Sequence, residues 1–125
     1  MRSSARRARA DRGSVSVEAV IVLPVFLLVV FAILQAGLWT HACAVAQAAA
    51  QDGARAGAAF GASPGQGQDT AEAVLSQRAA GEDWVVTITP GPDGLTVTVT
   101  GRAMSIVPGL VLDVRESASM PWEAK

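Results

Sequence analysis

The pattern of apolar and polar positions changes character several times along this chain. From Ala19 to Leu34, sixteen residues pass without one polar side chain, and beyond Gln35 the run continues to Trp39. A run of that length has no polar face, so it predicts a helix that is apolar all round rather than amphipathic. A helix from Val17 to Trp39 is about 34 Å long, enough to cross a hydrocarbon core of about 30 Å. From His41 to Phe60 the chain is mostly alanine, the strongest helix former, and the helix is expected to continue. Three faces recur there at four-residue spacing: Gln47, Gln51 and Arg55; Ala42, Ala46, Ala50 and Ala54; and Ala49, Gly53, Gly57 and Gly61.

Turn-forming residues then interrupt the chain from Gly61 to Gln68. Asp69 or Thr70 is expected to cap a short helix carrying Ala71, Val74, Leu75 and Arg78, ended by Gly81. Trp84–Thr89 is rich in β-branched residues, and Leu95–Thr100 alternates strictly, with Leu95, Val97 and Val99 on one face and three threonines on the other. The Pro90-Gly91-Pro92-Asp93-Gly94 segment between them predicts a β-hairpin. Val107-Pro108-Gly109 is a further break, and a third strand is expected within Val114–Met120.

These elements predict an α+β chain: a long N-terminal helix, the span continuing into a stalk, with a small C-terminal antiparallel hairpin or sheet domain. The expected divisions are a basic leader at 1–13, a transmembrane helix at 14–40, an alanine-rich stalk at 41–60, a linker at 61–69 and a small α+β domain at 70–125. A domain that small buries little surface alone. It is therefore expected to pack on the stalk helix or on neighbouring subunits.

Charge divides the chain more sharply than its net of -1 suggests. Residues 1–13 carry five arginines (Arg2, Arg6, Arg7, Arg9 and Arg12) against Asp11, a net of +4, leaving -5 for the remainder. Lys and Arg flanking a span stay on the cytoplasmic side. The expected location is therefore the cytoplasmic membrane, crossed once, with the N-terminus inside and the C-terminal domain extracytoplasmic. The apolar run exceeds the 7–15 residues, roughly, of a cleavable secretory signal, which favours an anchor. Ala42-Cys43-Ala44 and Ala44-Val45-Ala46 nevertheless have the small-x-small form of a cleavage site.

Composition narrows the chemistry. Lys125 is the only lysine, His41 the only histidine and Cys43 the only cysteine. A P-loop or Schiff-base lysine, a histidine-rich metal site and an intramolecular disulfide framework are thus excluded from this chain. The overall charge gives no nucleic-acid footprint. The reading is noncatalytic, with no metal, no cofactor, no nucleic-acid partner and no small-molecule substrate. Membrane lipid is the partner the span itself demands.

The most informative stretch is Arg12-Gly13-Ser14-Val15-Ser16-Val17-Glu18, where a basic leader, a helix-weakening glycine and a single acid precede the apolar run. An acid at a helix start is favoured by the helix dipole, and a headgroup-level carboxylate is solvated, so Glu18 alone needs no special role. The combination resembles the type IV prepilin class. Glu18-Ala19-Val20-Ile21-Val22-Leu23-Pro24, the apolar run to Gly37, and Gly53-Ala54-Arg55-Ala56-Gly57 are similar to the TadE-like pseudopilins of tight-adherence (Flp) pilus machinery. The resemblance covers about residues 13–60. Two positions depart from common patterns: Gln35-Ala36-Gly37-Leu38 replaces an acidic residue before the glycine and a basic one after it, and Ser14 replaces the aromatic frequent at the first mature position of other pilins.

The resemblance implies a minor pseudopilin, cut between Gly13 and Ser14 by a prepilin peptidase and assembled with other pilin or pseudopilin subunits through its apolar helix. Processing would make Glu18 the fifth mature residue, able to pair with a neighbour's new N-terminal amine. Glycine without a Cβ suits the extended backbone a protease needs, so a break at Gly13 is expected. Pro24 lacks an amide hydrogen and is expected to loosen or curve the helix for assembly. Gly53 and Gly57 each cost about 1 kcal/mol against alanine in a helix, which points to close packing with a partner.

The remaining candidates carry less. His41 reads as an interfacial residue and Cys43 as a small apolar filler, with an intermolecular disulfide as its alternative. Asp52 and Arg55 are spaced for a local ion pair. Trp84 and Trp122 read as core or domain-edge residues. Two other functions stay open: an unprocessed single-span protein with a binding ectodomain, and a small exported protein released after the alanine triplets.

Overall fold

The structure, a computed structural model, describes residues 2–78 and 80–123, with side chains from Val15 onward. Five elements follow in order: α1 (Arg2–Ala58), α2 (Pro64–Arg78), β1 (Gly81–Pro90), β2 (Gly94–Ala103) and β3 (Asp113–Pro121). The chain is α+β, as its pattern predicts. It divides into two units, Met1–Leu34 and Gln35–Lys125, with α1 contributing to both.

The first unit is the N-terminal part of α1 alone. The break expected at Gly13 does not occur, because α1 runs through Gly13 and Ser14. One glycine costs a helix only about 1 kcal/mol, which flanking Arg, Ala and Ser residues outweigh. The backbone also stays helical through Pro24. Proline removes one amide donor from the ladder without forcing the helix to end.

The second unit is a three-stranded antiparallel meander in the order β1-β2-β3, packed against the C-terminal part of α1 and against α2. Strand β2 is central and buries Leu95, Val97 and Val99 completely, each contributing about 1.5–3 kcal/mol. Registry carries the inner face across the sheet: Ile88 pairs with Val97 and Val97 with Ala118, while Val86 pairs with Val99 and Val99 with Glu116. The opposite face is hydroxyl-rich, with Thr87, Thr98 and Ser117 in one row and Thr89, Thr96 and Ser119 in the next. Thr96 and Ser119 share a 2.8 Å hydrogen bond there.

Helix α2 starts earlier than expected. Ser63 is its cap and Pro64 its first residue: the Gln66 amide N–H donates to the Ser63 carbonyl at 3.1 Å, and the Gln66 side-chain oxygen accepts from the Ser63 N–H at 3.1 Å. The Gln66 side chain thus supplies the returning half of a Ser-x-x-Gln cap, and proline occupies the first helical position, where its missing donor is harmless. Asp69 and Thr70, expected to cap the helix, lie inside it.

Pairing between β1 and β2 is interrupted between Glu82 and Val85, where Asp83 adopts a positive φ of 56° and forms an ion pair with Arg102. Trp84, within that irregularity, lies over Gly101 in the space a side chain would fill. The C-terminal segment is tied back at several points. The Trp122 indole donates to the Gly91 carbonyl at 2.9 Å, the Glu123 amide donates to the Ala58 carbonyl at 3.0 Å, and the Glu123 carboxylate accepts from the Phe60 amide at 3.1 Å.

Candidate functional site

The candidate site is the surface of α1 itself. From Val15 to Leu34 every large apolar side chain but Val30 stands exposed, from 45% at Leu27 and Phe31 to 72% at Val20. Among the described residues this helix is long and apolar enough to cross a membrane, and none of its most apolar window is buried within the chain. The twenty residues Val15–Leu34 rise about 30 Å as a helix, one hydrocarbon thickness. Glu18 is exposed near the start of this surface. It is the only Asp, Glu, Lys or Arg from Gly13 through Gln51. Pro24 lies on the same stretch, six residues or about 1.7 turns further on. Backbone at Gly13 and Ser14 is helical, whereas the side chains of residues 1–14 lie outside the described ones.

The same helix behaves differently from Gln35 on. Gln35 is buried and makes two hydrogen bonds to the β2–β3 loop: its Nε2 donates to the Met104 carbonyl at 2.9 Å and its Oε1 accepts from the Ile106 amide at 2.9 Å. One turn further, the Trp39 indole donates to the Asp113 carbonyl at 3.3 Å. In the sequence alone, Gln35 stands out only as a departure from a family pattern. A carboxylate there could accept from Ile106 but would offer Met104 no donor, so the amide fits both partners. The signal was present in the sequence, since Gln35 is the first polar residue after sixteen apolar ones.

Beyond Gln35 the small-residue faces close on the rest of the chain. Ala42, Val45, Ala46, Ala49, Ala50 and Ala54 are fully buried or nearly so. The close contact expected at Gly53 and Gly57 is made within the chain, against α2 and β2, rather than with another subunit. A Cβ on Gly53 would lie 2.8 Å from the Gly67 carbonyl oxygen and 3.0 Å from the Ala71 Cβ, and one on Gly57 would run into Leu95. Gly67, previously read as part of a loop, is the third member of this contact: its own Cβ would lie 3.2 Å from the Gly57 Cα. Small residues at four-residue spacing allow close backbone approach wherever the partner lies, inside the chain or outside it.

Cys43 is half-buried beside this core. Burial, and secondarily the negative charge of Glu116, push its thiol pKa up. A thiol held in its neutral form is a poor nucleophile. Asp52 and Arg55 approach to 3.9 Å on the exposed side of the helix, a pair worth a few tenths of a kcal/mol. Trp84 is half-buried against the core, its indole nitrogen lacking a hydrogen-bond partner among the described residues, and Trp122 is at the sheet edge.

Residues 13–55 match the model of the TadE-like protein family. No curated protein and no solved structure gives a match. The TadE-like segment is 43 of the 125 residues. It takes in Gly13, Ser14, Glu18, Pro24, Gln35 and Gly53, and it stops before α2 and the sheet. That match, with the exposed apolar helix, fits a membrane protein associated with the Tad pilus.

Proposed function

We propose that the chain is a minor pseudopilin, a noncatalytic structural subunit of a tight-adherence pilus or related secretion filament. The observation that carries this reading is the almost wholly exposed apolar surface of Val15–Leu34, with Glu18 as its one charge, inside the TadE-like segment. Before assembly the segment crosses the cytoplasmic membrane once, arginines inside. A prepilin peptidase cuts between Gly13 and Ser14, removing a net charge of +4 and creating an amine at Ser14. In the filament, lipid is exchanged for the apolar helices of neighbouring subunits. Glu18 compensates a neighbour's terminal amine in that low-dielectric setting, where an unpaired charge costs several kcal/mol. Pro24 leaves one carbonyl without its helical donor and lets the helix adjust to its neighbours.

The test is the intact mass of the protein extracted from its native membrane. A mature N-terminus at Ser14 supports the reading, and Met1 retained on all of the material overturns it.

A second reading has one observation in its favour. Because α1 is helical through Gly13 and Ser14, a protease must unwind that turn before cutting. An unprocessed, single-span anchored protein with a binding ectodomain needs no such unwinding. Retention of Met1 would favour it.

A further inference from the structure

We propose that the β2–β3 loop, Met104–Leu112, is a second membrane contact that rests in the headgroup–acyl boundary of the outer leaflet. The inference depends on the reading of Val15–Leu34 as membrane-spanning.

Nine large apolar side chains are exposed in the unit that begins at Gln35, and five of them (Met104, Ile106, Val107, Leu110 and Val111) belong to this one loop, at 37% to 58% exposure. A cluster of that kind on a small domain marks a surface with an occupant. The loop contains no charged residue, while Arg102 and Asp113 bracket it on either side.

Its position selects lipid as the occupant. Gln35, the residue that follows Leu34 in the chain, holds the Met104 carbonyl and the Ile106 amide. The loop is therefore tied to the residue at which the twenty-residue apolar stretch gives way. Trp39, whose indole donates to the Asp113 carbonyl at the loop's far end, is the residue type enriched at membrane interfaces.

The backbone is prepared for a low-dielectric setting, in which unpaired polar groups are costly. Besides the two Gln35 bonds, the Leu110 amide donates to the Val107 carbonyl at 3.2 Å and the Ser105 hydroxyl donates to the same carbonyl at 2.7 Å. The Ala103 amide closes the base of the loop by donating to the Leu112 carbonyl at 3.0 Å. Irregular backbone is not accommodated deep in hydrocarbon. The boundary, where apolar side chains reach acyl carbon and the backbone stays near headgroup water, suits this geometry.

The experiment uses the full chain in lipid bilayers, with Cys43→Ala removing the native thiol and a nitrobenzoxadiazole dye placed at Val107→Cys. Leu27→Cys reports on the span and Pro92→Cys, at the hairpin tip, on water. The loop dye is expected to be quenched more by lipids spin-labelled near the headgroup than by deeply labelled ones. Its quenching by aqueous iodide is expected to be about threefold weaker than at Pro92→Cys, as for a shallow interfacial residue. Adding Val111→Asp should return most of the iodide access while leaving the far-ultraviolet circular dichroism unchanged. A loop dye as open to iodide as Pro92→Cys, in bilayers where Leu27→Cys is quenched by deep lipid labels, overturns the inference and leaves the membrane reading standing. Protection that disappears on dilution of protein in lipid assigns the loop to a neighbouring subunit and likewise overturns it. Absence of lipid quenching at Leu27→Cys overturns the spanning reading itself, and this inference with it.

Discussion

Two stretches of one helix meet opposite fates. Val15–Leu34 carries Val, Ile, Leu and Phe on every side and leaves nearly all of them exposed, whereas Gln35–Ala58 is rich in alanine and glycine and buries one face of them. Hydrophobicity alone would assign the core to the first stretch. Side-chain size reverses that. Large branched residues all round a helix leave no face on which a small sheet can settle, and their demand for apolar surroundings is met outside the chain. Small residues let β2 and α2 approach almost to backbone contact, so the smaller side chains nucleate the denser core. On the proposed reading, the first stretch takes its apolar surroundings from lipid or other subunits, whereas the second supplies its own.

The strongest way to break this comparison is Gly57→Leu. Leu95 and the backbone of Gly67 occupy the space required, so overpacking should cost about 3 kcal/mol or more. Thermal unfolding of the second unit should fall sharply, while membrane partition in a fractionation assay should not change. Loss of partition would show that the two stretches are not independent. Leu95→Ala removes a fully buried side chain from the central strand and should cost about 3 kcal/mol by the same measurement.

Gln35→Leu tests the point where the two regimes meet. It leaves the Met104 carbonyl and the Ile106 amide without their side-chain partner, at a cost of about 2 kcal/mol. Amide hydrogen exchange at Ile106 should accelerate. Gln35→Glu should retain the Ile106 bond and lose the Met104 bond, giving a smaller acceleration at Ile106 than Gln35→Leu.

Glu18→Val sharpens the contrast from the other side. Glu18 is exposed and lies outside the packed unit, so the melting temperature of that unit should stay put. Incorporation into filaments, read by immunogold labelling or shear fractionation, should drop steeply. Normal incorporation would remove Glu18 from assembly.

The smallest effect concerns Cys43. Its raised pKa means the folded state holds the thiol proton more tightly than the unfolded chain. The associated stability is fully present below the unfolded thiol's pKa of about 8.5 and is lost as pH rises through the folded value. Alkylation by iodoacetamide at pH 8 should therefore run slower in the folded protein than in urea. Equal rates would mean that neither burial nor Glu116 governs the thiol.

Much of the architecture was legible in the residues. Sixteen apolar positions in a row specify a helix apolar all round, and the strict alternation of Leu95–Thr100 specifies a strand with one buried face. The start of α2 was missed because Ser63-Pro64-Gly65-Gln66 contains turn formers. Those same residues start a helix once the Gln66 side chain folds back onto the Ser63 amide. The break at Gly13 was misplaced for the opposite reason: a residue permitted to leave the helix need not do so.

Local composition by itself determined that the chain would contain an all-round apolar helix, a small-residue helix and a β-hairpin, because periodicity and length act within a few turns or one strand. Tertiary structure decided what each face touches. Gly53 and Gly57 find Gly67 and Leu95, Gln35 finds a loop about seventy residues away, and Glu116 comes to influence Cys43. Spacing along a helix names the side that must be covered. Only the folded chain, by bringing distant residues within a few ångströms, names the cover.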